Sequence, residues 1–121
     1  MTTNHKMSLG NFCISLAVKD LAASQAFYTK LGFEPTRGGE RWMVMRNGTT
    51  SVALFQGMFE KNMLTFNPGW DADKQKLPEF TDVRELLRMV REQGIEPTVA
   101  EAAHFMVVDP DGNPILVDQH V

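Results

Sequence analysis

The chain has 121 residues and a mass of 13.6 kDa, which is enough for one packed domain, whereas two independent cores would each have a marginal size of about 60 residues. Hydrophobic residues make up 43% and charged residues 22% of the sequence, which argues against a disordered, collagen-like or coiled-coil chain. The net charge of -3 and the pI near 5.5 do not favour a nucleic-acid-binding protein.

The N-terminal region and the cysteine content indicate the cellular compartment of the protein. No apolar run approaches the about 20 residues that span a bilayer, and residues 1–10 lack the apolar stretch of a secretory signal. The single cysteine, Cys13, cannot form an intrachain disulfide. We therefore expect a cytoplasmic protein that does not interact with membranes, with residues 1–10 as a flexible N-terminal tail.

The chain contains an internal repeat at an offset of 62 residues. Residues 32–36 (GFEPT) return as residues 94–98 (GIEPT), and the same offset pairs Asp20 with Asp82. An aspartate before and a glycine after each segment are typical of the two ends of a helix. In the second copy the apolar residues have helical spacing: Val83, Leu86, Leu87 and Val90.

Strands are predicted around each helix. Residues 12–18 alternate large apolar with small side chains, and Asn47-Gly48 lies between two strand-like runs, which indicates a hairpin. In the second half, residues 63–67, 104–108 and 115–120 have strand character. Each half is therefore predicted to be a strand, a helix and a strand meander.

Three segments carry a resemblance to a known family: residues 15–21 (SLAVKDL), 27–33 (FYTKLGF) and 109–115 (DPDGNPI). Together they make residues 11–120 similar to the vicinal-oxygen-chelate superfamily, which includes glyoxalases, bleomycin-resistance proteins, fosfomycin-resistance enzymes and extradiol dioxygenases. The resemblance implies an α+β fold in which two βαβββ modules, about 11–60 and about 61–121, form a curled mixed sheet with a cleft. It also implies one domain over residues 11–121 and a homodimer.

Metal-using members of this superfamily hold a divalent ion through the first and last strands of each module, usually with His or Glu. The resemblance and the offset of 62 place Cys13, Leu54, Met63 and Leu116 at these positions. Leucine has no ligating atom, a thioether suits soft ions, and one thiolate is too little for zinc. We therefore expect no metal, no other cofactor and no glyoxalase reaction, which depends on that ion.

Side chains two residues apart on a strand face the same way, so the four positions predict the rest of the cleft lining. The loop residue Trp70 is added because an aromatic ring in a loop needs a packing partner, and no catalytic residue is assigned. The predicted ligand-binding residues are Cys13, Ser15, Leu54, Gln56, Met63, Thr65, Asn67, Trp70, Leu116, Asp118 and His120. An apolar cleft with a few polar groups favours a metal-free protein that binds a planar or amphipathic small molecule.

Two other functions remain open. The first is a divalent-metal-dependent lyase, isomerase or dioxygenase, in which Asp118, His120 and a side chain of a partner chain could hold the ion. Asp118 and His120 could also form an acid-base pair, although surface roles for both are more common. The second is a structural or interaction module whose cleft is filled by side chains. Arg37, Arg41 and Arg46 could bind an anionic ligand, but exposed charge is again the more common role.

Overall fold

A computed structural model of the chain describes residues 7–121. Its two helices are α1 (Leu21–Lys30) and α2 (Val83–Glu92). Its eight strands are β1 (Asn11–Val18), β2 (Glu34–Gly38), β3 (Trp42–Asn47), β4 (Thr50–Gln56), β5 (Met63–Asn67), β6 (Val99–Ala100), β7 (His104–Val108) and β8 (Pro114–Asp118). Neither helix in this part of the chain is long and apolar enough to cross a membrane.

All eight strands form one curled mixed sheet in the order β2-β3-β4-β1-β5-β8-β7-β6. The first four positions belong to one βαβββ module and the last four to the other, which confirms the predicted α+β fold. The modules meet where β1 and β5 pair antiparallel, with Cys13 opposite Thr65. Each of these two strands also pairs in parallel with the last strand of its own module.

Each helix covers its own half of the sheet on the convex side. The α2 helix begins after the N-cap Asp82 and buries Val83 and Leu86 against Phe105 and Val117, which forms the core of the second module. In the first module, Met45, Val52 and Leu54 form the core, with Leu21 and Tyr28 of α1 packed against it. The α1 helix begins after Asp20, whose carboxylate accepts a hydrogen bond from the Ala23 N–H at 3.1 Å.

Residues 7–10 form part of the packed structure, although the sequence placed them in the flexible tail. Met7 and Leu9 pack against the core of the second module. Gly10 has a φ of 77°, and a Cβ there would lie 2.0 Å from the Asn67 backbone oxygen, so only glycine fits. Residues 1–6 of the predicted tail lie outside the described residues.

The face assigned to β4 from the sequence was wrong. Leu54 is fully buried in the core under α1 and does not face the cleft. The Oε1 of Gln56 is also on the helix side, where it accepts a hydrogen bond from the Leu21 N–H at 2.7 Å. Ala53 and Phe55 face the cleft instead.

The reason for this error is the length of one hairpin. Val44 pairs with Ala53, nine residues later, whereas Met106, at the offset of 62 from Val44, pairs with Leu116, ten residues later. The second hairpin therefore contains one extra residue in its turn. The helices of the two modules are therefore related by an offset of 62 residues, but their last strands are related by an offset of 63. Because successive side chains on a strand point to opposite faces, this shift of one residue reverses the face predicted for each residue of β4.

Candidate functional site

The concave face of the sheet encloses a cleft of about 650 Å³ that lies over the junction of the two modules. Strand alternation brings side chains of β1, β4, β5 and β8 to this face, and the segment after β5 closes one side. Most of the predicted site residues line it: Cys13, Ser15, Met63, Thr65, Asn67, Trp70, Leu116, Asp118 and His120. Leu54 and Gln56 do not, because of the hairpin length described above.

The floor of the cleft is the junction between β1 and β5. There the hydroxyl groups of Ser15 and Thr65 form a hydrogen bond of 2.7 Å, in which either oxygen can be the donor. The Cys13 thiol lies beside them, and burial raises its pKa, which Lys74 only partly offsets. Because the thiolate is the nucleophilic form, this burial keeps Cys13 poorly reactive.

Asn67 adds a further polar group at the end of β5. Its Oδ1 accepts a hydrogen bond from the Gly69 N–H at 2.9 Å, which fixes the orientation of the amide. The Nδ2 is buried and has no acceptor within residues 7–121. A buried donor without a partner is uncommon, and functional sites are one place where it occurs.

Aromatic rings form the walls. Trp42 and Phe55 are stacked with centroids 6.3 Å apart, and Phe59 lies 5.2 Å from Phe55. On the other side, Trp70 stacks on the His120 ring at 5.1 Å. The sequence did not predict Phe55 because of the β4 face, and Phe59 lies in a connection where no periodicity indicates its direction.

Two cations also line the cleft. The guanidinium carbon of Arg37 lies 5.8 Å from the Trp42 ring and 5.6 Å from the Trp70 ring. Burial lowers the pKa of Lys74, and the nearby Arg37 and Arg46 act in the same direction, whereas Cys13 opposes it. The sequence suggested Arg37 as a possible anion-binding residue but gave no signal for Lys74, which lies in the loop after β5.

Asp118 and His120 are close together in the structure. The strand β8 ends at Asp118, two residues earlier than the predicted end at His120, so His120 lies beyond the strand. The His120 Nε2 therefore reaches the Asp118 Oδ2 at 3.2 Å. The His120 side chain is 45% exposed and the Asp118 side chain is 32% exposed, so they form the open edge of the cleft and not its buried floor.

The residues of the cleft do not fit the divalent ion that the superfamily commonly uses. On the cleft face, β4 offers Ala53 and Phe55, which carry no ligating atom. The strand β8 offers Leu116, which also carries none, and Asp118 at its end. Within residues 7–121, no three His, Cys, Asp or Glu side chains converge as a metal site would require. Asp118 and His120 alone supply too few ligands.

Comparison with known proteins agrees with the fold. The model of the Glyoxalase/Bleomycin resistance protein/Dioxygenase superfamily matches residues 11–117, so the chain belongs to this superfamily. A comparison with curated proteins found no match.

Two solved structures resemble the protein at low sequence identity and therefore show the fold alone. A structure from Legionella pneumophila described as an NAD-dependent benzaldehyde dehydrogenase has 18% identity and a TM-score of 0.69, and the match covers 89% of this chain and 97% of that chain. A glyoxalase/bleomycin resistance protein/dioxygenase superfamily member from Vibrio splendidus has 20% identity and a TM-score of 0.61, with 90% and 97% covered.

Proposed function

We propose that the protein is a metal-free receptor that binds one planar, largely apolar small molecule in the cleft. The observation that carries this proposal is the cleft of about 650 Å³ with aromatic walls and a small polar floor. Ligand pockets usually combine an apolar lining with a few polar groups that orient the ligand. Trp42, Phe55, Phe59 and Trp70 supply flat apolar surfaces at a low cost in side-chain entropy.

The size of the cleft favours a binding protein over an interaction module with a filled interior. Its volume exceeds the about 300 Å³ at the lower end of ligand pockets. A two-ring ligand that buries about 200 Å² of apolar surface gains about 5 kcal/mol at about 25 cal/mol per Å². Taken alone, this gain corresponds to a dissociation constant of about 0.2 mM, so polar contacts with the ligand must offset the cost of association.

The enzyme hypothesis, a lyase, isomerase or dioxygenase, needs a divalent ion that the side chains on the cleft face are not suited to hold. Elemental analysis of the purified protein tests this point directly. We expect well below about one metal ion per chain, and addition of zinc should not raise the melting temperature. About one tightly held zinc, nickel, manganese or iron ion per chain would contradict the metal-free proposal.

Binding itself is tested with the neutral probe N-phenyl-1-naphthylamine, whose fluorescence rises in apolar surroundings. We expect saturable binding of one probe per chain, with a higher melting temperature. Ala53→Phe fills the cleft from β4 and should abolish binding, whereas Ala26→Phe, on the exposed side of α1, should leave it unchanged. Equal binding by both variants would mean that the probe does not occupy the cleft.

A further inference from the structure

We infer that the ligand of the cleft is an aromatic carboxylate whose carboxylate group is held by Arg37 and Lys74. This inference rests on the proposed function and adds the charge and chemical class of the ligand. It is carried by two cations that lie in an aromatic cleft and that have no carboxylate partner among residues 7–121.

The ion pairs of the described residues leave both cations free. The acids nearest to Lys74 in the sequence are engaged elsewhere, because Asp73 pairs with Arg46 at 2.6 Å. The Asp71 carboxylate accepts hydrogen bonds from the backbone N–H groups of Asp73 and Gln75. Neither Arg37 nor Lys74 forms an ion pair within residues 7–121. The exposed Arg37 guanidinium and the partly buried Lys74 ammonium carry like charges, and their repulsion is unfavourable unless an anion joins them.

Arg37 is already positioned for such an anion. Its guanidinium lies near both the Trp42 and the Trp70 rings, which restricts its motion. The N–H donors of a guanidinium lie in its plane in a fork that matches the two oxygens of a carboxylate. The same two tryptophan rings form the aromatic walls, so an aryl group attached to that carboxylate would lie beside them.

Lys74 occupies a backbone conformation that favours glycine. Its φ is 61°, and it is the one residue other than glycine with a positive φ within residues 7–121. A residue with a Cβ is disfavoured in this conformation, and burial also disfavours the charge of the ammonium group. Strained residues of this kind concentrate at functional sites, which fits a lysine whose side chain contacts a ligand.

The acidic group that lines the cleft also bears on how the ligand lies. Asp118 would repel a carboxylate, but it is paired with His120, which stacks on Trp70. Among residues 7–121, the charged and titratable groups that line the cleft are Arg37, Lys74, Cys13, Asp118 and His120. We place the carboxylate near Arg37 and Lys74 and the aromatic ring between the walls.

The test compares two probes of the same shape by calorimetry, 2-naphthoate and the uncharged 2-naphthamide. The wild-type protein should bind naphthoate at least about tenfold more tightly, and added salt should weaken only naphthoate binding. Lys74→Met and Arg37→Met should each reduce this preference at least about fivefold with little effect on the amide. Arg41→Met is the matched control, because Arg41 lies outside the cleft lining, and should change neither affinity.

The outcomes separate the two proposals. Equal binding of the acid and the amide, or a preference for the acid that both variants retain, would overturn the carboxylate assignment and leave the receptor function intact. Failure of both probes and of N-phenyl-1-naphthylamine to bind would overturn the receptor function itself. Because Arg37 packs near two rings, Lys74→Met provides the second variant if Arg37→Met does not fold, and circular dichroism checks both.

Discussion

Gln56 and Gln119 form equivalent hydrogen bonds in the two modules. The Oε1 of Gln56 accepts a hydrogen bond from the Leu21 N–H, and the Oε1 of Gln119 accepts one from the Val83 N–H, both at 2.7 Å. Leu21 and Val83 are the first residues of the two helices. Each glutamine therefore ties the end of the last strand to an otherwise unpaired N–H at a helix start.

This relationship predicts the effect of removing each amide. Gln56→Leu and Gln119→Leu should each lower the free energy of unfolding by about 1–2 kcal/mol, because a partly buried N–H loses its acceptor. The two glutamines share no partner, so the double variant should show nearly the sum. Urea denaturation measures the free energy of unfolding of the two single variants and of the double variant. Gln93→Leu, at the exposed end of α2, is the control. A negligible loss in Gln119→Leu would contradict the equivalence.

Leu54 and Leu116 should respond differently to truncation because they lie on opposite faces of the sheet. Leu54→Ala creates a cavity in the core under α1 and should lower the free energy of unfolding by about 2–5 kcal/mol. Leu116→Ala removes surface from the cleft and should mainly weaken binding of N-phenyl-1-naphthylamine. Denaturation of both variants measures the loss of stability, and fluorescence titration measures the loss of probe binding. A stable Leu54→Ala protein with impaired binding would contradict our assignment of the two faces.

Asp82 should make stability depend on pH in acid. Hydrogen bonds from the Arg84 side chain and backbone N–H lower the pKa of Asp82 to about 2. A lowered carboxyl pKa stabilises the folded state above the unfolded pKa of about 4, and this contribution disappears as the pH falls to about 2. The side chain is 40% exposed, so solvent screening limits the contribution to at most about 1 kcal/mol.

The variant that isolates this charge is Asp82→Asn, since asparagine also serves as an N-cap. The difference in unfolding free energy between wild type and variant should be largest above pH 4 and approach zero near pH 2. In an Arg84→Met background the difference should shrink, because the main source of the lowered pKa is gone. A difference that is constant across this range would argue against the charge as its cause.

Cys13 provides a chemical probe of occupancy. Burial raises its pKa, so its alkylation by iodoacetamide at pH 7 should be slower than that of a free thiol and should accelerate as the pH rises. Since Cys13 lines the cleft, bound 2-naphthoate should slow the reaction further. The chain has one cysteine, so the mass of the intact protein reports the rate. Alkylation that is indifferent to every cleft ligand would place the ligands elsewhere.

Much of the fold could be predicted because its signals are local. The repeated GFEPT and GIEPT segments and the aspartate caps marked both helices, and alternation in β1 gave the correct faces of Cys13 and Ser15. The face of β4 could not be obtained from one offset, because the length of a turn decides it.

The cationic side of the site was harder to predict. Arg37 lies on β2, an edge strand whose five residues are all exposed, and Lys74 lies in a loop. Neither segment has a hydrophobic period that indicates where its side chains point. Only the tertiary packing of these segments brings the two cations to the same cleft.

The hydroxyl pair on the floor of the cleft has a consequence for selectivity. Because Ser15 and Thr65 can exchange the roles of donor and acceptor, a guest above them can meet either a proton or a lone pair with no shift of the backbone. The floor of the cleft can therefore donate or accept a hydrogen bond and accommodates acids, amides and alcohols alike. Discrimination among such guests must then come from the rim.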